Sequence, residues 1–232
     1  MRVLTEHYLD QLPYWPKSGR HILAQFDAES VIVYQAYRPS IGQFAVDHGY
    51  FGTDFSFSRM SWIKPNFLWM MYRSGWGSKP GQEVTLAIRL PRSFFDSLLT
   101  QAVESSYSGS QYATLAEWKR ALVKSSVRMQ WDPDHHPAGS AMLRRAIQLG
   151  LRGRVLKEFG RRQILEIIDL SSFVAEQRVN ITSDRRAELV TPLERVYTPD
   201  DPALRQKLRL DEFTLDSTVP GIHEYSSQGD IS

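Results

Sequence analysis

The stretch EVTLAIRL, residues 83–90, alternates apolar and polar side chains in the manner of a β-strand with one buried face. Three more stretches are predicted strands because they are rich in β-branched or apolar residues: VIVYQAY at 31–37, VRMQW at 127–131 and ILEIIDL at 164–170. Short helices are predicted among them, at 41–48, 93–104 and 114–123. Long crossover helices are few, so we expect a single α+β domain with a central mixed or antiparallel sheet flanked by short helices.

Changes in composition along the chain predict four parts. Residues 1–30 form an entry segment, and residues 31–180 form the α+β core. Residues 181–215 are acidic and contain prolines, which prevent long regular elements, and we expect this segment to pack on the core. Residues 216–232 are polar and predict a disordered tail. Within the core, the stretch 149–159 has helical spacing and predicts a further helix.

The composition excludes several classes of protein. The 28 Lys and Arg residues nearly balance the 26 Asp and Glu residues, so nucleic-acid binding would require a local basic patch. Cysteine is absent, which excludes disulfides, thiolate nucleophiles, Cys-ligated zinc and iron–sulfur clusters. No apolar run approaches the ~20 residues of a membrane helix. The first residues include Glu6 and Asp10 and lack an apolar signal-peptide region, so we expect a soluble cytoplasmic protein.

Common nucleotide and hydrolase motifs are also absent. The chain has no GxGxxG or GxxxxGK[ST] motif, and it has no GxSxG motif. A Rossmann dehydrogenase, a P-loop NTPase and an α/β-hydrolase are therefore disfavoured.

The densest group of chemically active side chains lies in RMSWIKPNFLWMMYRSGW, residues 59–76. Its candidate ligand-binding or catalytic residues are Arg59, Trp62, Lys64, Trp69, Tyr72, Arg73, Ser74 and Trp76. Aromatic rings stack on bases, and Arg and Lys pair with phosphate oxygens, so this mixture predicts a nucleotide-like or phosphorylated ligand. The three Trp residues are seven positions apart, however, and on one helix they would share a face and belong to the core. Lys64 and Arg73 favour the functional interpretation because unpaired charges are rarely buried.

Three other groups supply candidates for the same site. The first predicted strand ends in Gln35, Tyr37 and Arg38, which favours either a ligand contact or a sheet contact. Trp131 ends the predicted strand 127–131, and Asp132 begins a predicted polar loop at 132–139. As an alternative, Asp132, Asp134 and His135 of this loop could bind a divalent metal. A basic run that starts with Arg144, Arg145 and Gln148 predicts either an anion-binding patch or a face paired with the acidic segment.

Five stretches together resemble domain-of-unknown-function family 4291. They are VYQAYRPSIG at 33–42, RMSWIKPNFLWMMYRSGW at 59–76, GQEVTLAI at 81–88, VRMQWDP at 127–133 and RRAIQLGLRG at 144–153. The resemblance covers roughly residues 20–200 and implies that these motifs belong to one recurring unit.

The order of elements also looks similar to the ADP-ribosyltransferase fold. That likeness implies an early strand presenting Gln35 or Arg38, a second position at Tyr72 or Ser74, and a carboxylate at Glu83. It makes NAD a candidate cofactor or substrate. The chain lacks the His that commonly opens the transferase triad.

Three functions follow as hypotheses. The first is an enzyme acting on a nucleotide-like or phosphorylated ligand, as an ADP-ribosyl, glycosyl or phosphoryl transferase, with Glu83, Arg73 and Lys64 as catalytic residues. The alternative is a non-catalytic module that binds RNA or single-stranded nucleic acid. The third is a small-molecule metalloenzyme.

Overall fold

The computed structural model describes residues 3–52, 54–107, 112–182 and 184–215. The predicted tail at 216–232 lies outside the described residues. The strands are β1 (Thr5–His7), β2 (Gly19–Arg20), β3 (Ile22–Ala24), β4 (Ser30–Tyr37), β5 (Ser61–Ile63), β6 (Val84–Pro91), β7 (Val103–Glu104), β8 (Val127–His135), β9 (Ala141–Leu151), β10 (Glu166–Asp169), β11 (Val190–Pro192) and β12 (Arg195–Tyr197). The α-helices are α1 (Tyr8–Gln11), α2 (Pro39–His48), α3 (Phe67–Ser74), α4 (Arg92–Gln101), α5 (Leu115–Lys124), α6 (Gly153–Arg161), α7 (Ser171–Arg178) and α8 (Pro202–Leu208).

Two main sheets organise the fold. The first is antiparallel and has the strand order β10-β6-β4. The second has the order β2-β9-β8-β7, with β5 also paired to β9, and it is mixed because β2 and β7 run parallel to their neighbours. A backbone bridge between Tyr34 and Lys64 connects β4 to the end of β5. The fold is therefore a single α+β domain, as the sequence predicts.

One face of each sheet packs into a shared apolar core. Alternating residues of the first sheet, including Val33 and Ile88, belong to the same buried cluster as Met129, Ile147 and Leu149 of the second sheet. Met129 and Trp131 of β8 contact this core. Because strand side chains alternate between faces, Gln130 and Asp132 lie on the opposite face of β8. That opposite face is polar and carries the candidate site.

The predicted helix at 149–159 is wrong at its start. Residues 149–151 complete β9, which pairs with both β8 and β5, and α6 begins only at Gly153. Gly153 has a φ of +59°, so the backbone turns there in the left-handed region that favours glycine. The apolar spacing continues through the turn, and for that reason periodicity alone does not separate the strand from the helix.

The three Trp residues of the 59–76 stretch do not share one helix face. Trp62 lies in β5 and Trp69 in α3, while Trp76 follows the helix C-cap at Gly75. The helix begins at Phe67 because the Asn66 side chain accepts a hydrogen bond from the backbone N–H of Trp69 (2.6 Å). The spacing of seven therefore coincides with three separate local structures.

Two strands in the C-terminal part of the chain pair with two strands near its N-terminus. β11 pairs with β1, and β12 pairs with β3, both antiparallel. Within the described ranges, none of the helices has the length and apolar character needed to cross a bilayer.

Candidate functional site

The polar face of β8 carries Gln130, Asp132 and Asp134 at every second position. In the antiparallel pairing with β9, Gln130 lies opposite Gln148, and Asp132 lies opposite Ala146. Sheet geometry therefore gathers two amides and two carboxylates on one surface.

The Asp132 carboxylate is held by two side-chain amides. Gln130 Nε2 donates to one carboxylate oxygen at 2.7 Å, and Gln148 Nε2 donates to the other at 2.6 Å. With a donor on each oxygen, the carboxylate is fixed in one orientation while remaining partly exposed. Such a group is suited to bind a ligand or move a proton without first reorganising.

Lys64 is the buried cation of this surface. It follows directly after β5, and only 5% of the residue is exposed. Its Nζ lies 4.7 Å from the centroid of the Trp69 ring, and no described residue forms a hydrogen bond or ion pair with it. Burial, and then the charge of Arg73, lower the pKa of Lys64 to about 7, against an opposing effect of Asp132. Near neutral pH, Lys64 can thus both lose and accept a proton.

The position of α3 depends on a buried carboxylate from the C-terminal part of the chain. Glu194 accepts a hydrogen bond from the backbone N–H of Phe67 at 2.7 Å and another from Asn66 Nδ2 at 3.3 Å. These contacts satisfy donors at the helix N-terminus. Burial raises the pKa of Glu194 well above its ordinary value. Glu194 is not among the site residues predicted from the sequence, because no local motif marks it.

The exposed side of α3 forms the rim of the site. Tyr72 is 47% exposed, and its ring stacks on that of His135 with centroids 3.4 Å apart. Arg73 is exposed and donates a hydrogen bond to Gln82 Oε1 at 3.3 Å. The rim therefore presents an aromatic ring and a cation above the buried lysine.

Trp62 lines the same face from β5 and lies half-buried against Gly150 of β9. A Cβ atom at Gly150 would come within 3.0 Å of the Trp62 ring and 2.7 Å of the Met60 sulfur. Glycine at this position allows the indole to lie flat against the sheet. Trp62, Lys64, Trp69, Tyr72, Arg73, Asp132 and Gln148 are the predicted residues that the structure brings to this face.

The predicted site residues at the end of β4 form contacts within the fold and do not line the site. Gln35 Nε2 donates to Ser61 Oγ and to the Trp62 carbonyl, at 2.8 and 3.0 Å, and the Tyr37 hydroxyl also bonds to Ser61 Oγ. These contacts attach β5 to β4 on the core side. Arg38 is exposed and forms an ion pair with Asp54 at 3.6 Å. Arg59 is exposed as well.

Arg144 forms a buried ion pair and is not part of a basic patch on the surface. Its Nε donates to Asp134 Oδ2 at 2.7 Å, its Nη1 donates to the carbonyl of Pro16, and its guanidinium lies 5.3 Å from the Trp15 ring centroid. Neighbouring Arg145 is exposed. Since Asp134 is occupied, it is not free for a metal, and no cluster of three or more His, Asp or Glu ligands occurs in the part of the chain that the structure describes.

The remaining predicted residues lie elsewhere. Trp131 faces the core side of β8, with Arg20 over its ring. The Ser74 hydroxyl accepts a hydrogen bond from the backbone N–H of Gly77, and the buried Trp76 donates to the Pro137 carbonyl. Glu83 is exposed and accepts a hydrogen bond from the backbone N–H of Gly81 at 2.8 Å. No described hydrogen bond or ion pair joins Glu83 to Lys64 or Arg73.

A family model described as a domain of unknown function (DUF4291) matches residues 21–197. The chain belongs to this family. The matched range of the DUF4291 chain includes α3, the Glu194 cap and both main sheets except for β2, which precedes residue 21. No curated protein matches the chain.

Proposed function

We propose that the polar face of β8 and β9, together with α3, is the active site of an enzyme that acts on a nucleotide-like, phosphorylated ligand. The observation that supports this most directly is a buried lysine whose amine has no hydrogen-bond or ion-pair partner among the described residues, on the same face as a carboxylate fixed by two amides. A cation without a partner in a low-dielectric environment lowers stability, so its presence favours a ligand or a proton transfer at that position.

The rim of the site offers contacts for both parts of such a ligand, the phosphate and the base. Arg73 is exposed beside the site and can pair with phosphate oxygens. The half-buried Trp62 offers aromatic surface for a base, whereas one face of the exposed Tyr72 ring is already covered by His135. Trp69 is 7% exposed, and its ring lies under Lys64 as a wall of the site.

Glycosyl or phosphoryl transfer is the reaction class that this arrangement supports best. Asp132 would stabilise positive charge that develops at a ribosyl carbon, and Lys64 would donate or accept the proton of the leaving or attacking group. NAD is a candidate donor in this proposal, as the element order of the sequence suggests, with Asp132 in the carboxylate role for which the sequence suggested Glu83.

Ligand titration with matched variants tests the proposal. Thermal shift and calorimetry with NAD, ATP and ribose 5-phosphate should identify a ligand, which at ~100 times its dissociation constant stabilises the fold by about 2.7 kcal/mol. We expect Arg73→Ala to weaken binding at least about tenfold, the value of one lost charged contact. Asp132→Asn should abolish turnover with little loss of affinity.

Arg38→Ala is the matched control, because Arg38 is an exposed arginine whose partner is Asp54. It should leave binding and turnover unchanged. The proposal is wrong if no phosphorylated ligand binds, or if Arg38→Ala weakens binding as much as Arg73→Ala does.

A second surface supports the alternative of nucleic-acid binding. The Arg161 guanidinium lies 5.0 Å from the Tyr50 ring centroid and 5.2 Å from that of Phe57, next to Phe44 and His48, which stack face to face. Cations and rings at one surface suit single-stranded RNA. Binding that weakens steeply with salt, and that Arg161→Ala reduces while Arg73→Ala does not, would favour this function.

A further inference from the structure

Lys64 combines the features that make a lysine amine nucleophilic. It is almost fully buried, its Nζ has no hydrogen-bond or ion-pair partner among the described residues, and that atom lies over an indole face. The charged groups that act on it are Arg73 from α3 and Asp132 from β8. Desolvation and a neighbouring cation both favour the neutral amine, which is the form that attacks carbonyl carbons.

We propose that Lys64 forms an imine with the carbonyl carbon of a phosphorylated aldehyde, such as the open-chain form of a sugar phosphate. This inference rests on the proposed function and names the substrate class of the same site. The phosphate would pair with Arg73, and the carbonyl would lie between Lys64 and Asp132.

The step balances with the groups that the site already holds. The lone pair of the neutral amine attacks the carbonyl carbon, and the C=O π electrons move to the oxygen. A proton passes from the nitrogen to that oxygen through the Asp132 carboxylate, which gives a carbinolamine. The nitrogen lone pair then forms the C=N bond as the oxygen leaves, and with one more proton, relayed by Asp132 from the nitrogen, it becomes water. The products are the imine and water, with no oxidant or reductant.

Two other lysines serve as internal references. Lys79 is exposed, and its Nζ donates hydrogen bonds to the backbone carbonyls of Tyr72 and Arg73. Lys207 is also desolvated, which lowers its pKa, but its Nζ donates to the carbonyl of Thr100. A comparison with Lys207 therefore shows whether burial alone makes a lysine reactive or whether the absence of a partner for the Lys64 amine is also required.

Reductive trapping on the full chain tests the inference. The protein is incubated with ribose 5-phosphate and cyanoborohydride, and the adduct, which retains the mass of the sugar less one oxygen atom, is mapped by peptide mass spectrometry. At pH 7 we expect Lys64 to be modified at least about tenfold faster than Lys79, because about half of the Lys64 amine is neutral whereas an ordinary lysine is almost fully charged. Lys64 should also react faster than Lys207, whose amine is engaged by the Thr100 carbonyl. Ribose without phosphate should react more slowly at Lys64.

The outcomes separate this inference from the proposed function. Equal modification of all lysines, or no adduct at Lys64, overturns the inference, and it does so on the wild-type chain without relying on a variant that must fold. If NAD or ATP binds in calorimetry while Lys64 stays unmodified, only the inference fails. If Lys64 is trapped selectively but no nucleotide binds or competes, the amine is reactive and the nucleotide proposal fails.

Discussion

Asp132 and Asp134 lie two residues apart on the same face of one strand, yet their surroundings differ completely. Asp134 is 1% exposed and forms a salt bridge with Arg144, which also donates to the Pro16 carbonyl and the Met142 sulfur and lies near an indole ring. Asp132 is partly exposed, is held by glutamine amides, and acts electrostatically on the buried Lys64, whose amine has no hydrogen-bond or ion-pair partner among the described residues.

This difference distinguishes an ion pair that maintains the fold from a carboxylate and a lysine that do not pair with each other and are proposed to bind a ligand. Where two buried charges form an ion pair, removal of either partner leaves a buried charge, and the fold loses stability. Where a cation is buried without a partner, the fold already carries that penalty, and removal of the charge should relieve it. The two sites therefore predict opposite responses to substitution.

The largest effect is expected from Asp134→Asn, which leaves the Arg144 charge buried and unpaired. We expect it to lower the free energy of unfolding by about 3–5 kcal/mol. Asp132→Asn exchanges one amide contact on a half-open surface and should cost about 1–2 kcal/mol. Urea unfolding of both variants measures the difference, and equal losses would remove the distinction between the two sites.

An intermediate effect is expected from Lys64→Met, and it depends on pH. The unfolded chain has an ordinary lysine pKa and binds more protons than the folded chain between about pH 7 and pH 10. The wild-type free energy of unfolding should therefore gain up to about 1.4 kcal/mol per pH unit from this residue as the pH rises through that range. Lys64→Met should lack this gain and be the more stable protein at pH 6.

Lys79→Met is the control for this prediction, because Lys79 is exposed and donates only to backbone carbonyls. Its stability should depend on pH as that of the wild type does. Thermal unfolding from pH 6 to pH 10 provides the comparison, and parallel curves for wild type and Lys64→Met would show that the Lys64 amine keeps its charge in the fold.

The smallest effect is expected from Glu83→Gln, since the Glu83 carboxylate contacts only a nearby backbone N–H on the surface. The change in the free energy of unfolding should stay within about 0.5 kcal/mol. Ligand affinity and turnover should also remain those of the wild type, in contrast to Asp132→Asn. A loss of turnover in Glu83→Gln with Asp132→Asn active would move the catalytic carboxylate back to residue 83.

The sequence predicts the strands better than the site. The alternation of 83–90 and the β-branched stretch 31–37 correspond to β6 and β4, because these strands lie at the middle of the fold with strong local patterns. β9 is hidden because Arg144 and Arg145 interrupt its apolar pattern, and Arg144 is buried only through Asp134, which is ten residues away. The local sequence pattern gives no sign of the contact between Arg144 and Asp134.

Site membership depends on which face of a strand a residue occupies. Trp131 and Asp132 are adjacent in sequence, but one faces the core and the other faces the site. The alternation from Gln130 to Asp134 was the available signal, and it becomes informative only once β8 is known to extend to His135. Burial of Lys64 is equally nonlocal, because it requires β4, β8 and α3 together.

The Glu194 cap has a consequence for the order in which the chain assembles during synthesis. Phe67 and Glu194 are 127 residues apart, so α3 leaves the ribosome long before its cap is made. At about 5–20 residues per second, this interval is roughly 6–25 s. During that time the lysine has emerged, but the helix above it lacks its anchor. The nascent chain therefore completes its site only when its last strands arrive, and a chain stopped before residue 194 would expose the apolar side of α3 to chaperones and proteases.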